Sequence, residues 1–239
     1  MKWSLFLTSA VGRKIVMALT GLFLISFLII HVGLNSSIFY DLSVFDPTDN
    51  GSMFNRAAHF MGASFVIRIL EIGLFAGIIL HIVQGYAVEL KNRKRRGKDY
   101  KVELGNRGSK WYSRSMALLG TLILLFLIMH VAHFWVPSRI THDMEQVVYK
   151  NGTVETHNLF LRMFEVFQQE WVVVLYLVGV ISLGFHLMHG FHSAFRTIGV
   201  HNRKYLTLLK NVGYGFTIIV CLLFALMPIS MYFHWVSPF

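Results

Sequence analysis

Apolar residues in this 239-residue chain fall into five long runs, at roughly 15–38, 60–88, 112–136, 170–195 and 211–234, separated by polar and basic stretches. A helix needs about 20 residues to cross the hydrocarbon core of a bilayer, and each run is that long. Backbone groups in lipid must bond within their own segment, which favours helices. Leu, Ile, Phe, Met and Val fill the runs without the period-two alternation of a membrane barrel. The pattern predicts an all-α polytopic membrane protein with five transmembrane helices in a single domain over residues 1–239. The opening stretch, MKWSLFLTSAVGRK, has a lysine and an apolar part like a signal peptide. That part is only about eight residues long and Arg13-Lys14 leads directly into a full span, so it reads as a retained cytoplasmic segment at the interface.

Composition agrees with the pattern. The chain is 55% hydrophobic and 14% charged, with mean hydropathy +0.56, where a soluble domain carries about 25% charged residues. A net charge of +10 could suggest nucleic acid, but the basic residues lie between the apolar runs. They therefore speak first to topology. Seventeen Lys and Arg flank alternate span ends (three before the first span, ten after the second, four after the fourth). Four, Arg56, Arg139, Lys150 and Arg162, lie on the other side, and Arg68 lies within a span. The positive-inside rule then puts the N-terminus in the cytoplasm and the C-terminus outside. The single cysteine, Cys221, excludes an intrachain disulfide framework. It also excludes a cysteine-ligated iron–sulfur cluster, which takes about four thiolates.

Against this apolar background the histidines recur in pairs of like setting. FLIIHV, Phe27 to Val32, returns as FLIMHV, Phe126 to Val131; HIVQGY, His81 to Tyr86, is echoed by HLMHGF, His186 to Phe191. Depth follows from counting at about 1.5 Å per residue. His31 lies 17 residues beyond Lys14 and His130 lies 16 beyond Arg114, both in the outer half of the membrane. His81 lies 10 residues before Lys91 and His186 lies 10 before Arg196, both in the inner half. Two imidazoles at one depth, from different helices, suit a haem iron: neutral nitrogens fill both axial positions and leave none open for oxygen or substrate. Two such centres in the bundle of the first four helices would carry electrons across the bilayer. Gly33, Gly77, Gly85, Gly120 and Gly190 lie near the histidines and could leave room for a macrocycle, although small residues also let membrane helices pack closely. His133 follows His130 by one turn, and His189 and His192 follow His186. The repeats select His130 and His186, leaving the other three for propionate contact, polar packing or an interface.

The stretches TGLFLISFLIIH, FNRAAHFM, RILEIGLFAGIILHIVQGY, LILLFLIMHV and YLVGVISLGFHLMHG resemble the di-haem membrane cytochrome b subunit of succinate:menaquinone oxidoreductases and related quinol:fumarate reductases. The resemblance covers most of the chain. It implies two b haems, a proximal one held by His81 and His186 and a distal one held by His31 and His130. It also implies a flavoprotein and an iron–sulfur subunit on the cytoplasmic side, and menaquinone close to the distal haem. The source it suggests is a bacterium, with the chain in the inner membrane. Some fumarate reductases of this type carry a glutamate two residues before the helix-four ligand; here that position is Gly184, which favours succinate oxidation. The basic loop after the second span is a candidate docking face for the partners.

Three polar residues are candidates for the quinone site. Arg68 and Glu71, three residues apart in helix two, lie where charge is costly and usually functional. They form either a mutual ion pair or a site with Arg68 near a distal propionate and Glu71 or His59 near a quinone head group. Arg13, Lys91 and Arg196 could meet proximal propionates or remain solvated. Asn151-Gly152-Thr153 fits a glycosylation sequon, irrelevant in a bacterium. Two other functions compete: a cytochrome b anchor for another dehydrogenase, such as hydrogenase or formate dehydrogenase, and a haem-free ion or proton transporter. The transporter would need a continuous polar path, and the spans hold few polar residues besides the histidines, Arg68 and Glu71.

Overall fold

The computed structural model describes residues 9–41, 51–95, 111–148 and 155–238. Residues 1–8, most of the basic loop (96–110) and the Asn151 sequon lie outside the described residues. Among the described residues the α-helices longer than one turn are α1 (Ala10–Asn35), α2 (Ser52–Ala63), α3 (Phe65–Arg95), α4 (Met116–His130), α5 (Leu159–Phe167), α6 (Glu170–Thr197) and α7 (Arg203–Tyr232). Five segments are long and apolar enough to cross a membrane: Val11–Tyr40, Phe65–Lys94, Met116–Thr141, Glu170–Thr197 and Arg203–Tyr232. The protein is an all-α polytopic membrane protein. Its apolar side chains face outward along the spans, with Phe65 76% and Ile72 72% exposed, as a lipid environment requires. The described residues also include a short antiparallel strand pair, Gln146–Val148 with Glu155–His157, which the sequence pattern does not reveal.

Two boundaries change the reading of the site. The second span begins at Phe65, not near residue 60, because Ser64 adopts an extended conformation (φ −73°, ψ 125°) that breaks the helix. His59 therefore belongs to the separate helix α2. The third span passes from α4 into π-helical turns at Val131–Trp135 and Pro137–Thr141. Pro137 has no N–H to continue the ladder, and the Val136 N–H reaches back to Val131 O.

The chain divides into two compact units. The first comprises Met1–Phe27, Ile72–Thr121 and Ser182–Ile218; the second comprises Leu28–Glu71, Leu122–Ile181 and Ile219–Phe239. In both, helices pack by seating phenylalanine on glycine. A Cβ on Gly77 would stand 2.9 Å from the Phe23 ring, and one on Gly213 would stand 2.7 Å from Phe191, both in the first unit. In the second unit a Cβ on Gly179 would stand 2.6 Å from Phe126. Without a hydrophobic driving force in lipid, such close van der Waals contact is what holds spans together. Buried Asn55 joins α2 to α5: its Oδ1 accepts from the Phe160 N–H (3.0 Å) and its Nδ2 donates to Asn158 Oδ1 (2.9 Å). Asn158 in turn caps α5 by accepting from the Leu161 N–H.

Candidate functional site

In the first unit the rings of His81 of α3 and His186 of α6 lie with centroids 6.2 Å apart and planes at 65°. The His81 ring is oriented by α1. Thr20 Oγ1 lies 3.0 Å from His81 Nδ1 and donates its own hydrogen to Val16 O at 2.8 Å. With that hydrogen on Val16 O, the hydroxyl can serve the ring only as an acceptor, an arrangement matched by the Nδ1–H tautomer, which would leave the Nε2 lone pair free. Beside it a Cβ on Gly21 would come within 3.5 Å of His81 Cε1, and one on Gly120 within 3.9 Å of His186 Cε1. His186 Nδ1 is buried with no hydrogen-bond partner among the described residues.

In the second unit His31 of α1 and His130 of α4 stand 5.7 Å apart with perpendicular planes. Here aromatic rings form the walls. Phe126 stacks on His130 at 5.6 Å, Phe134 meets it edge-on at 5.3 Å, and Phe224 of α7 lies 5.6 Å from His31. Asn35 Nδ2 donates to His31 O at 2.8 Å and lies 3.4 Å from His31 Nδ1. His130 Nδ1 is buried and unpartnered among the described residues, like His186 Nδ1 in the other pair. A buried imidazole nitrogen without a partner costs about 1–3 kcal/mol, and each such atom calls for an explanation such as a bound group.

The spacing of both pairs suits one metal ion between two imidazoles. Two metal–nitrogen bonds of about 2.0 Å, with a ring radius of about 1.2 Å on each side, put the centroids about 6.4 Å apart. The observed 6.2 Å of the first pair is about 0.2 Å shorter than that, and the 5.7 Å of the second is about 0.7 Å shorter. Among the described residues no cluster of three or more His, Cys, Asp or Glu side chains is gathered to hold a metal. A metal held by one of these pairs would thus take its remaining ligands from a non-protein chelator.

His133 and His189 have other partners. His133 Nδ1 lies 3.1 Å from the Tyr176 hydroxyl, with the rings parallel to within 5°, and Arg162 Nε donates to His133 O. His189 Nδ1 lies 2.8 Å from Ser113 Oγ, and its ring is 5.9 Å from that of His192. Polar packing thus accounts for His133 and His189. Of the five glycines considered as cofactor space, Gly120 alone faces a paired histidine. Gly77 is filled by Phe23, Gly85 faces Met17, and nothing lies within 4 Å of a Cβ at Gly33 or Gly190. Gly21, not in that set, does face His81.

Glu71 pairs with Arg139 (3.4 Å) and accepts from Trp135 Nε1, while Arg139 also donates to Gly62 O. An ion pair between Arg68 and Glu71, one of the two readings of their spacing, is absent among the described residues, and Arg68 and His59 are exposed. The π-helical turns after His130 carry Trp135 and Arg139, so Glu71 is matched by residues about 65 positions away rather than by its helical neighbour. Arg13 and Lys91 are half-buried and Arg196 is exposed; none is joined to His81 or His186 by a hydrogen bond or ion pair among the described residues. Asn35, four residues after His31, could have been found from helical spacing. Thr20, Ser113, Trp135 and Tyr176 could not, because each meets its histidine or glutamate across a helix boundary. Comparison with protein-family models, with characterised proteins and with solved structures finds no match to this chain.

Proposed function

We infer that this chain is the di-haem cytochrome b anchor of a succinate:menaquinone oxidoreductase, holding one b haem between His81 and His186 and a second between His31 and His130. The observation that carries the reading is the opposition of two histidine pairs at 6.2 and 5.7 Å. Each pair draws its histidines from two different helices, and they are the same pairs that stand out by depth in the sequence. A bis-imidazole haem iron accepts and returns one electron without an open coordination position. The chain's own part is to present neutral imidazoles, fix their orientation and keep water away. Thr20 orients the first pair; Phe126, Phe134 and Phe224 enclose the second.

By the positive-inside rule the basic ends of the spans would lie in the cytoplasm, where a flavoprotein and an iron–sulfur subunit would dock. Dicarboxylate oxidation belongs to those partners, because Cys221 is the only thiol in this chain. Menaquinone would be reduced beside the second unit of a bacterial inner-membrane protein. Glu71, anchored by Trp135 and Arg139, is the carboxylate there that could take or return a proton, with Arg68 and His59 nearby in sequence. The test is an absorption spectrum of the purified, dithionite-reduced protein, followed by identification of co-purifying subunits. Narrow low-spin b-type bands and two soluble subunits are expected. A haem-free chain overturns the reading; haem with a hydrogenase or formate dehydrogenase head reassigns the partner.

A further inference from the structure

Thr20 is 9% exposed and sits on α1, the helix that supplies no iron ligand to the first pair. Its hydroxyl nonetheless makes the one hydrogen bond to a ring nitrogen of that pair among the described residues, because His186 Nδ1 has none. The hydroxyl is not a free rotor. It bonds Val16 O at 2.8 Å and lies 3.2 Å from Met17 O, both on its own helix, so its hydrogen points away from the imidazole and its lone pair towards it. Gly21 follows directly and keeps the α1 backbone close to the same ring.

We propose that Thr20 is a positioning residue that fixes His81 as the Nδ1–H tautomer and sets the electron affinity of the metal centre that His81 and His186 hold. This rests on the haem reading above. A hydrogen bond from the far ring nitrogen to an acceptor makes the imidazole a stronger electron donor to the metal, and hydrogen bonding around axial ligands is one of the levers on haem potential. The stronger donor favours the oxidised centre. Removing the acceptor therefore raises the midpoint potential of this centre and leaves that of the His31–His130 centre unchanged. Asn35, 3.4 Å from His31 Nδ1, makes a longer contact. The two centres are thus tuned by different side chains, and Thr20 addresses one of them.

The test is a potentiometric titration of the haem absorbance of the purified protein for wild type, Thr20→Val and Thr20→Ser. Valine keeps the shape and removes the hydroxyl; serine keeps the hydroxyl. Wild type and Thr20→Ser are expected to titrate alike. In Thr20→Val one of the two steps should move upward by at least threefold in the oxidised-to-reduced ratio, about 28 mV for a one-electron couple, while the other stays in place. Loss of one haem in Thr20→Val, with both kept in Thr20→Ser, also supports the proposal, because only the hydroxyl differs in kind. Two haems with unchanged potentials in Thr20→Val overturn it. So does an equal shift in Thr20→Ser. A wild type without haem instead overturns the haem reading itself, a distinct outcome.

Discussion

The two histidine pairs share a spacing but not a surrounding. His81 and His186 lie among small and hydroxylated residues, Thr20, Gly21 and Gly120, and a hydrogen bond orients His81. His31 and His130 lie among Phe126, Phe134, Tyr176 and Phe224, where ring packing does the orienting. The contrast teaches that one local motif, an imidazole in an oily helix, can be held by two different physical means. Directional bonding depends on one atom and fails when that atom is removed. Packing depends on volume and fails when a ring is displaced.

The largest expected effect comes from the proposed ligands. His31→Ala or His130→Ala should lower haem content from two per chain to one, and His81→Ala or His186→Ala should remove the other. Paired losses measured by haem spectra establish the partition. A haem lost from His189→Ala but kept in His186→Ala contradicts the choice made in α6, where His189 is bound to Ser113.

The packing side of the contrast is tested at the glycine seats. Gly179→Ala puts a methyl 2.6 Å from Phe126, the ring stacked on His130. Overpacking of this kind costs about 1–3 kcal/mol, and the spectral change should appear in the His31–His130 centre alone. Gly77→Ala presses on Phe23 in the first unit at 2.9 Å and should lower the melting temperature without touching the second centre. If both substitutions perturb the same centre, the two units are not independently packed around their pairs.

A smaller effect is expected at Glu71. Glu71→Gln keeps an acceptor for Trp135 and removes the charge paired with Arg139, whose side chains are 21% and 25% exposed, respectively. A partly exposed pair of this kind contributes about 1 kcal/mol or less. Haem content should stay at two while menaquinone reduction slows; an unchanged rate removes Glu71 from the quinone site. Smallest of all is Arg93→Ala, which breaks an ion pair with Glu89 whose arginine is 70% exposed. Pairs of this type on a helix contribute about 0.3–0.5 kcal/mol, so neither centre nor the melting temperature should change measurably.

Much of the architecture was legible in the chain because lipid imposes one strong rule on each span. The five spans follow from apolar length alone, and the histidine pairs follow from repeats at matched depth. What escaped was local or long-range. Ser64 breaks the helix before Phe65 with nothing in its side chain to announce it, and so moved His59 out of the second span. Arg68 and Glu71 looked like partners at helical spacing, yet Glu71 found Arg139 and Trp135 on the third span. A polar group at membrane depth is satisfied by whichever helix packs beside it, and spacing within one helix carries no information about that neighbour. Thr20 was missed for the same reason.

Two imidazole pairs, with ring centroids 6.2 and 5.7 Å apart, carry the proposed function. Its most direct test is the amount of haem b per polypeptide in the purified full-length protein, by pyridine haemochrome absorbance against amino-acid analysis. Two haems per chain are predicted; a chain that folds in the membrane and holds none contradicts it.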